Sequence, residues 1–226
     1  MAGAAFFDLD RTLLRRSSAL ALAGPFRKRG LISRWDMVRA AAWQFLFVAR
    51  GASHESVRRA AEDGLRILAG YTPEELRELV AEAMEPILRP LVYAEPLHLV
   101  KQHHERGEKV YIVSATLQEI VDAIAADLCF DGALGTIIEV NDGKYTGRAE
   151  RSLHAEAKAE AVSALAEREG FDLAECTAYS DSHTDLPFLE VVGHPVVVNP
   201  DRKLRRIAAE RDWPVLEFTT RHHRAA

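Results

Sequence analysis

Acidic and hydroxyl side chains follow three apolar segments of the sequence, at the points where predicted strands end. Asp8 and Asp10 lie one residue apart behind the first segment, and Ser114 ends the second. Asp181 and Asp185 follow the third. In an open parallel sheet, ligands bind in the crevice beyond the carboxyl ends of the strands. We therefore expect these five side chains to face one crevice.

Four carboxylates in one crevice carry an electrostatic cost. They repel one another unless a cation lies among them. Hard oxygen ligands, few in number and with room for water and phosphate, suit Mg²⁺. The acids at the strand ends therefore predict a Mg²⁺ site.

Each motif also has a purely structural explanation. Asp8 and Asp10 alone are compatible with a turn or a helix cap, and Ser114 alone is typical of a helix N-cap. Asp181 and Asp185 alone are compatible with a turn followed by a charge at a helix N-terminus. We favour a site because all three motifs fall at strand ends of one alternating pattern.

Strands and helices alternate along the chain after residue 92, which is typical of a parallel sheet covered on both faces. The segment Asn141–Gly147 carries an Asp-Gly pair that predicts a hairpin turn. We predict an α/β fold with a Rossmann-like parallel sheet. The predicted strands are Ala4–Leu9, Lys109–Ser114, Gly135–Val140, Cys176–Ser180, Pro195–Asn199 and Pro214–Phe218.

Residues 16–91 contain only helical patterns. Ser33–Arg50 and Ser53–Gly70 each begin with a serine suited to cap a helix. Thr72–Leu88 begins with a threonine and a proline and has Glu75 three residues after the threonine, which predicts a capping box. This region therefore reads as an all-helical insert.

The insert interrupts one α/β pattern, because the first strand precedes it and every other strand follows it. A length of 226 residues suits a main domain with a smaller inserted one. We predict a core domain of residues 1–15 and 92–226, with a helical cap domain of residues 16–91.

The composition points to an ordinary globular protein, and 29 basic against 34 acidic residues disfavour a nucleic-acid binder. Cys129 and Cys176 are far apart in sequence, which predicts no zinc site but two buried free thiols in a reducing compartment. The sequence begins without a leader pattern. We predict a cytoplasmic protein with no nucleic-acid partner; no oligomeric state is indicated.

Ala40–Ala49 is an apolar run broken only by Gln44. It is shorter than the roughly 18 residues that a membrane-spanning helix needs. We favour a buried helix of the cap, with contact between the cap and a lipid surface as the alternative.

The motifs resemble those of the haloacid dehalogenase superfamily of phosphohydrolases. "FDLDRT" resembles its D-x-D-x-T motif, "VYIVS" its second motif, and "YSDSHTDLPFL" its last acidic motif, while Lys158 stands where the family has its lysine. The helical insert and "DGKYTG" resemble subfamily IB, which contains phosphoserine phosphatase. The resemblance covers nearly the whole chain and implies a phosphatase that acts on a small phosphomonoester.

The resemblance also implies a role for each site residue. Asp8 would be the nucleophile that forms an aspartyl-phosphate. Asp10 would protonate the leaving alkoxide and then activate water. Mg²⁺ would be held by the Asp8 carboxylate, the Asp10 carbonyl and Asp181, and Asp185 would order the water shell of the metal.

The remaining implied roles concern the phosphoryl group and the turn. Ser114 and Lys158 would bind the transferring phosphoryl group. Lys144, in the predicted hairpin turn, is the competing lysine. Thr12 would support the turn after the first strand through its hydroxyl.

The sequence leaves the substrate open. Phosphoserine phosphatases resemble this chain in the core, but the glutamate and arginine that grip the amino acid are replaced here by Ser17 and Gly64. We therefore predict weak or absent phosphoserine activity. The alternatives are a phosphoserine phosphatase proper, a lipid-phosphate phosphatase or phosphotransferase, and a non-enzymatic phosphate-binding scaffold.

Overall fold

The computed structural model describes residues 3–30 and 64–220 of the chain. A seven-stranded sheet lies at its centre. The strands are β1 (Ala4–Phe7), β2 (Lys109–Leu117), β3 (Gly132–Asn141), β4 (Lys144–Arg151), β5 (Thr177–Ser180), β6 (His194–Val198) and β7 (Val215–Leu216). Their order is β4-β3-β2-β1-β5-β6-β7. All neighbours are parallel except β3 and β4, which form an antiparallel hairpin around the predicted turn.

Helices pack on both faces of the sheet. The α-helices are α1 (Ser18–Lys28), α2 (Pro73–Ala83), α3 (Ala94–Glu105), α4 (Gln118–Asp127), α5 (Glu156–Glu169), α6 (Leu186–Glu190) and α7 (Arg202–Glu210). Helices α3 and α4 contribute to the apolar cluster on one face, and α5, α6 and α7 contribute to the cluster on the other. The predicted α/β fold with a mostly parallel sheet is confirmed.

Strand β1 is the central strand of this sheet and is buried throughout. Its successive side chains point to opposite faces, as the strand period requires. Phe6 stacks near Tyr111 on one face, and Phe7 stacks on Tyr179 on the other at 4.2 Å between ring centroids. This packing fixes the point at which the chain leaves the sheet, directly before Asp8.

The described part of the insert, residues 16–30 and 64–91, is helical. The predicted capping box is confirmed: the Thr72 side chain accepts a hydrogen bond from the Glu75 backbone N–H, and the Glu75 carboxylate accepts one from the Thr72 N–H. The α-helix ends at Ala83 and continues as one π-helical turn over Met84–Leu88, where Pro86 lacks an N–H to donate.

Other predictions for the insert fall on residues outside those described. They are the helix over Ser33–Arg50, most of the helix over Ser53–Gly70, and the apolar run Ala40–Ala49. Within residues 3–30 and 64–220, no helix is long and apolar enough to cross a membrane.

The insert is bonded to the core through the β3–β4 hairpin. Gly70 N donates to Tyr145 O at 2.9 Å, and Tyr145 N donates to Tyr71 O at 2.8 Å. A side chain at Gly147 would collide with the Arg66 backbone, since a Cβ there would lie 2.9 Å from the Arg66 Cα. The hairpin and the segment that precedes α2 are therefore in close backbone contact.

One sequence interpretation is wrong. Cys129 is exposed, because the chain turns there with a φ of 60°, whereas Cys176 is buried as predicted.

His103 is buried although its helix is rich in polar residues. It is 2% exposed, with Nε2 2.8 Å from the Tyr179 hydroxyl and Nδ1 bonded to Glu108.

Burial of His103 should make the stability of the protein depend on pH. Burial lowers the pKa of His103 more than the Glu108 carboxylate raises it. Below about pH 6.5 the unfolded chain therefore binds a proton that the folded chain resists, and stability falls as the pH falls. We expect the wild type to lose up to about 1.4 kcal/mol per pH unit there relative to His103→Gln, in urea unfolding followed by circular dichroism. Parallel stability curves for the two proteins would contradict this prediction.

Candidate active site

The three polar segments meet because β1 lies between β2 and β5. The register pairs Phe7 with Ile112 on one side and with Tyr179 on the other. Asp8, the next residue, is held by a hydrogen bond of 2.9 Å from its N–H to the Tyr179 carbonyl. Ser114 in β2 and Asp181 after β5 therefore lie one residue beyond the level of Asp8.

A buried lysine from α5 pairs with two of the acids. Lys158 Nζ donates to Asp8 Oδ1 at 2.6 Å and to Asp185 Oδ2 at 2.7 Å. The lysine is 3% exposed. Ser180 Oγ also donates to Asp185 Oδ2, at 2.7 Å. Asp185 thus holds both the lysine and the serine beside Asp8.

The electrostatics of the site show an excess of negative charge. Burial raises the pKa of Asp8 to about 7, against the opposing charge of Lys158. Burial and the neighbouring charge of Asp8 raise the pKa of Asp181 to about 8. Burial disfavours the charged form of Lys158, but Asp185 and Asp8 together raise its pKa above the ordinary value. One buried lysine thus faces three buried carboxylates.

These residues fit a cation that is bound largely by water. In the described residues, no group of three or more His, Cys, Asp or Glu side chains is arranged to hold a metal by itself. Mg²⁺ commonly takes only one or two carboxylates and keeps several waters. The buried carboxylates of Asp8 and Asp181, whose pKa values are both raised, supply this number of ligands. Arg11 lies at the rim, with Nη1 3.8 Å from Asp181 Oδ2 and a largely exposed side chain.

The Asp10 carboxylate is bonded to the start of α1. Its Oδ1 accepts a hydrogen bond of 2.8 Å from the N–H of Ser18, the first residue of α1. Burial nevertheless raises the pKa of Asp10, because it outweighs the bonds from Ser18 and Ser17 that favour the ionised form. This side chain therefore keeps a proton more readily than an exposed aspartate.

Ser114 is 3% exposed, and its Oγ accepts a hydrogen bond of 3.1 Å from Thr116 N. Strand β2 runs to Leu117, three residues further than predicted, so Thr116 still lies in the strand. Lys144, the competing lysine, is exposed at the start of β4.

Thr12 does not support the turn through its hydroxyl, as the sequence suggested. Thr12 Oγ1 is buried and has no hydrogen-bond partner among the described residues. The turn is instead closed by backbone bonds of 2.9 Å from Leu13 N and Leu14 N to Leu9 O. The positive φ of Arg11, 67°, turns the chain at this point.

Sequence reasoning missed three hydroxyl residues of the site and one histidine contact. Ser180 contacts Asp185, and Ser18 contacts Thr116 across 98 residues of sequence. His183 Nδ1 donates a hydrogen bond to Asp201 Oδ2 at 2.8 Å. The one available signal was that Ser180 and Thr116 are small polar residues at the ends of apolar strands.

A model of the haloacid dehalogenase-like hydrolase family matches residues 5–190. A protein of Mycobacterium tuberculosis named as a probable phosphatase is 44% identical over 96% of this chain and 75% of its own length. A phosphoserine phosphatase of the same organism is 36% identical over 96% of this chain and 71% of its own.

Two further similarities extend over both chains. A histidinol-phosphatase of Neisseria meningitidis is 32% identical over 96% of this chain and 100% of its own. The crystal structure of a Bordetella pertussis protein of unknown function has a TM-score of 0.83 and 30% identity, and covers 96% of this chain and 98% of that one. Both similarities therefore extend over nearly the whole of this chain.

Proposed function

This chain belongs to the haloacid dehalogenase-like hydrolase family, and from that premise we propose that it is a Mg²⁺-dependent phosphatase. It hydrolyses a small phosphomonoester through an aspartyl-phosphate on Asp8. The observation that carries the proposal is the buried cluster at the end of β1, where Lys158 contacts Asp8 at 2.6 Å and Asp185 at 2.7 Å.

In the first step, an Asp8 carboxylate oxygen attacks the phosphorus atom. The bond between phosphorus and the ester oxygen breaks, and the ester oxygen leaves with the electron pair and takes a proton from Asp10. The raised pKa of Asp10, caused by burial, supports its role as the acid. The Ser18 N–H fixes the direction of the Asp10 carboxylate.

In the second step, water attacks the aspartyl-phosphate. Asp10, now ionised, takes a proton from the water, the bond between phosphorus and Asp8 oxygen breaks, and inorganic phosphate leaves. Asp8 returns as a carboxylate and Asp10 as an acid, so the cycle balances.

Ser114 and Lys158 bind the phosphoryl oxygens. Lys158 supplies a point charge that matches the negative charge developing on these oxygens. Asp185 accepts hydrogen bonds from Lys158 and from Ser180, and we propose that it positions the lysine in addition to ordering the water shell of the metal.

Mg²⁺ would be held by the Asp8 carboxylate, the Asp10 carbonyl and Asp181. Bound there, it offsets the repulsion between a carboxylate nucleophile and an anionic phosphate. The raised pKa values of Asp8 and Asp181 support this assignment, because burial and neighbouring carboxylates disfavour their charged forms, which a bound cation would stabilise.

We propose that the cap, over residues 16–91, binds the leaving group of the substrate and thereby selects the substrate. Relatives at similar identity are named for phosphoserine and for histidinol phosphate, so their names favour no single substrate. Ser17 lies at the N-cap of α1 and carries no charge that could bind the ammonium group of phosphoserine. We propose weak phosphoserine activity, with phosphoserine phosphatase as the alternative that the 36% identical relative favours. A cytoplasmic location is part of the same proposal.

A panel of phosphomonoesters tests this function. We expect inorganic phosphate to be released from several small alkyl phosphates with Mg²⁺, and activity to disappear with a chelator and to return when Mg²⁺ is restored in excess. Phosphoserine should not be the best substrate. Undiminished turnover under chelation would contradict the metal assignment, and a clear preference for phosphoserine would favour the alternative.

A further inference from the structure

A short chain of hydrogen bonds connects Asp10 with the strand that carries Ser114. Ser18 N donates to Asp10 Oδ1 at 2.8 Å. The hydroxyl of Ser18 lies 3.0 Å from that of Thr116, and Thr116 N donates to Ser114 Oγ at 3.1 Å. The chain thus runs from the carboxylate that handles the leaving-group proton to the hydroxyl that faces the phosphoryl group.

The central contact of this chain is partly buried. Ser18 is 0% exposed and Ser114 is 3% exposed, and Thr116 is partly buried. Ser18 begins α1, at the start of the proposed cap, while Thr116 lies near the end of β2 in the core. The hydroxyl pair therefore joins the segment after Asp10 to the strand that contains Ser114.

We propose that Ser18 and Thr116 are positioning residues for phosphate ester cleavage. Their hydroxyl pair holds the Asp10 carboxylate on the leaving-group side while Ser114 stays on the phosphoryl side. This inference rests on the proposed function, because it assigns no role to the pair unless Asp10 transfers a proton. Proton transfer depends steeply on alignment, so displacement of Asp10 slows ester cleavage.

The chemistry of the leaving group separates positioning from simple stabilisation. An alkoxide leaves poorly unless it is protonated, whereas an aryl oxide such as p-nitrophenolate leaves without help. Loss of Asp10 alignment should therefore slow an alkyl phosphate and spare an aryl phosphate. A general loss of structure would slow both.

The structure also offers a variant that keeps the fold. Removing one hydroxyl of the pair leaves the other buried without its partner, which destabilises the protein. Removing both hydroxyls leaves two apolar groups in contact, which is nearly neutral for stability. The double variant Ser18→Ala with Thr116→Val therefore removes the contact and keeps the packing.

The test compares kcat/KM for an alkyl phosphate and for p-nitrophenyl phosphate, since kcat/KM reports the steps up to release of the leaving group. In the double variant we expect the alkyl value to fall on the order of 10-fold, with the aryl value changed by less than about 3-fold. The single variant Thr116→Ser keeps both hydroxyls and should keep the wild-type ratio of alkyl to aryl kcat/KM. Ser163→Ala is the matched control, because Ser163 Oγ bonds only to Ala159 O within α5.

The proposal would be overturned if the double variant lost kcat/KM equally on both substrates. It would also be overturned if a double variant that melts like the wild type kept the wild-type ratio. If the double variant does not fold, the same ratio is read from Thr116→Val and decides in the same way. Asp8→Asn distinguishes failure of the proposed function from failure of this proposal. Retained activity in Asp8→Asn would refute the proposed function. An inactive Asp8→Asn, together with an unchanged alkyl-to-aryl ratio in the double variant, would refute only the role of the hydroxyl pair.

Discussion

Asp8→Asn should abolish phosphatase activity, with kcat reduced by a factor on the order of 10⁴ or more, as is typical for loss of a covalent nucleophile. The amide is nearly the same size as the carboxylate but cannot attack phosphorus. It also removes one of the two negative charges that contact Lys158. The measurement is phosphate release from the best alkyl substrate under saturating Mg²⁺.

A second readout ties the loss to the covalent step. Wild-type protein quenched in acid during turnover should carry a phosphoryl group on the peptide that contains Asp8, and Asp8→Asn should carry none. Asp10→Asn is the matched variant, because it keeps the nucleophile and loses the proton carrier. Substantial turnover by Asp8→Asn, or a phosphoryl group on another residue, would refute Asp8 as the nucleophile.

Lys158→Met should impair both catalysis and stability. Loss of the charge that faces the phosphoryl oxygens should lower kcat on the order of 10²- to 10³-fold. The same change leaves Asp8 and Asp185 buried without their cation, so the free energy of unfolding should fall by about 3 kcal/mol without Mg²⁺ at mildly alkaline pH. Steady-state kinetics and urea unfolding measure the two effects.

The two effects can be separated by a second substitution. Adding Asp8→Asn to Lys158→Met removes one unpaired carboxylate, so stability should recover in part while the remaining activity is lost. Lys144→Met is the matched control, since Lys144 is exposed on the hairpin and should affect neither quantity. A fully active Lys158→Met, or loss of activity in Lys144→Met instead, would reverse the assignment of the lysine.

The parallel sheet and the meeting of the acids were predictable because both follow from local patterns. Asp8 had to emerge at the edge of the sheet once Ala4–Phe7 was recognised as a buried strand between parallel neighbours. The ends of such strands share one edge, which brought Asp181 and Ser114 to the same place. The capping box at Thr72 was predictable for the same reason, since its partner is three residues away.

Contacts between distant residues were not predictable in this way. Ser18 and Thr116 are 98 residues apart and look like unremarkable small polar residues. His103 lies in a helix rich in polar residues, and its burial depends on Tyr179, which is 76 residues away. Thr12 shows the converse: its motif position suggested a hydrogen bond, but neighbouring backbone groups close the turn without it.

The position of β1 between β2 and β5 has a consequence for the order in which the protein is made. Asp8 is synthesised before β5, Asp181 and Asp185, which are made only after more than 160 further residues have followed it. A nascent chain that has not yet produced β5 has one bare edge on β1 and no complete acidic cluster. The active site therefore assembles late, and an incomplete chain released by the ribosome has no means of hydrolysing phosphate esters by this route.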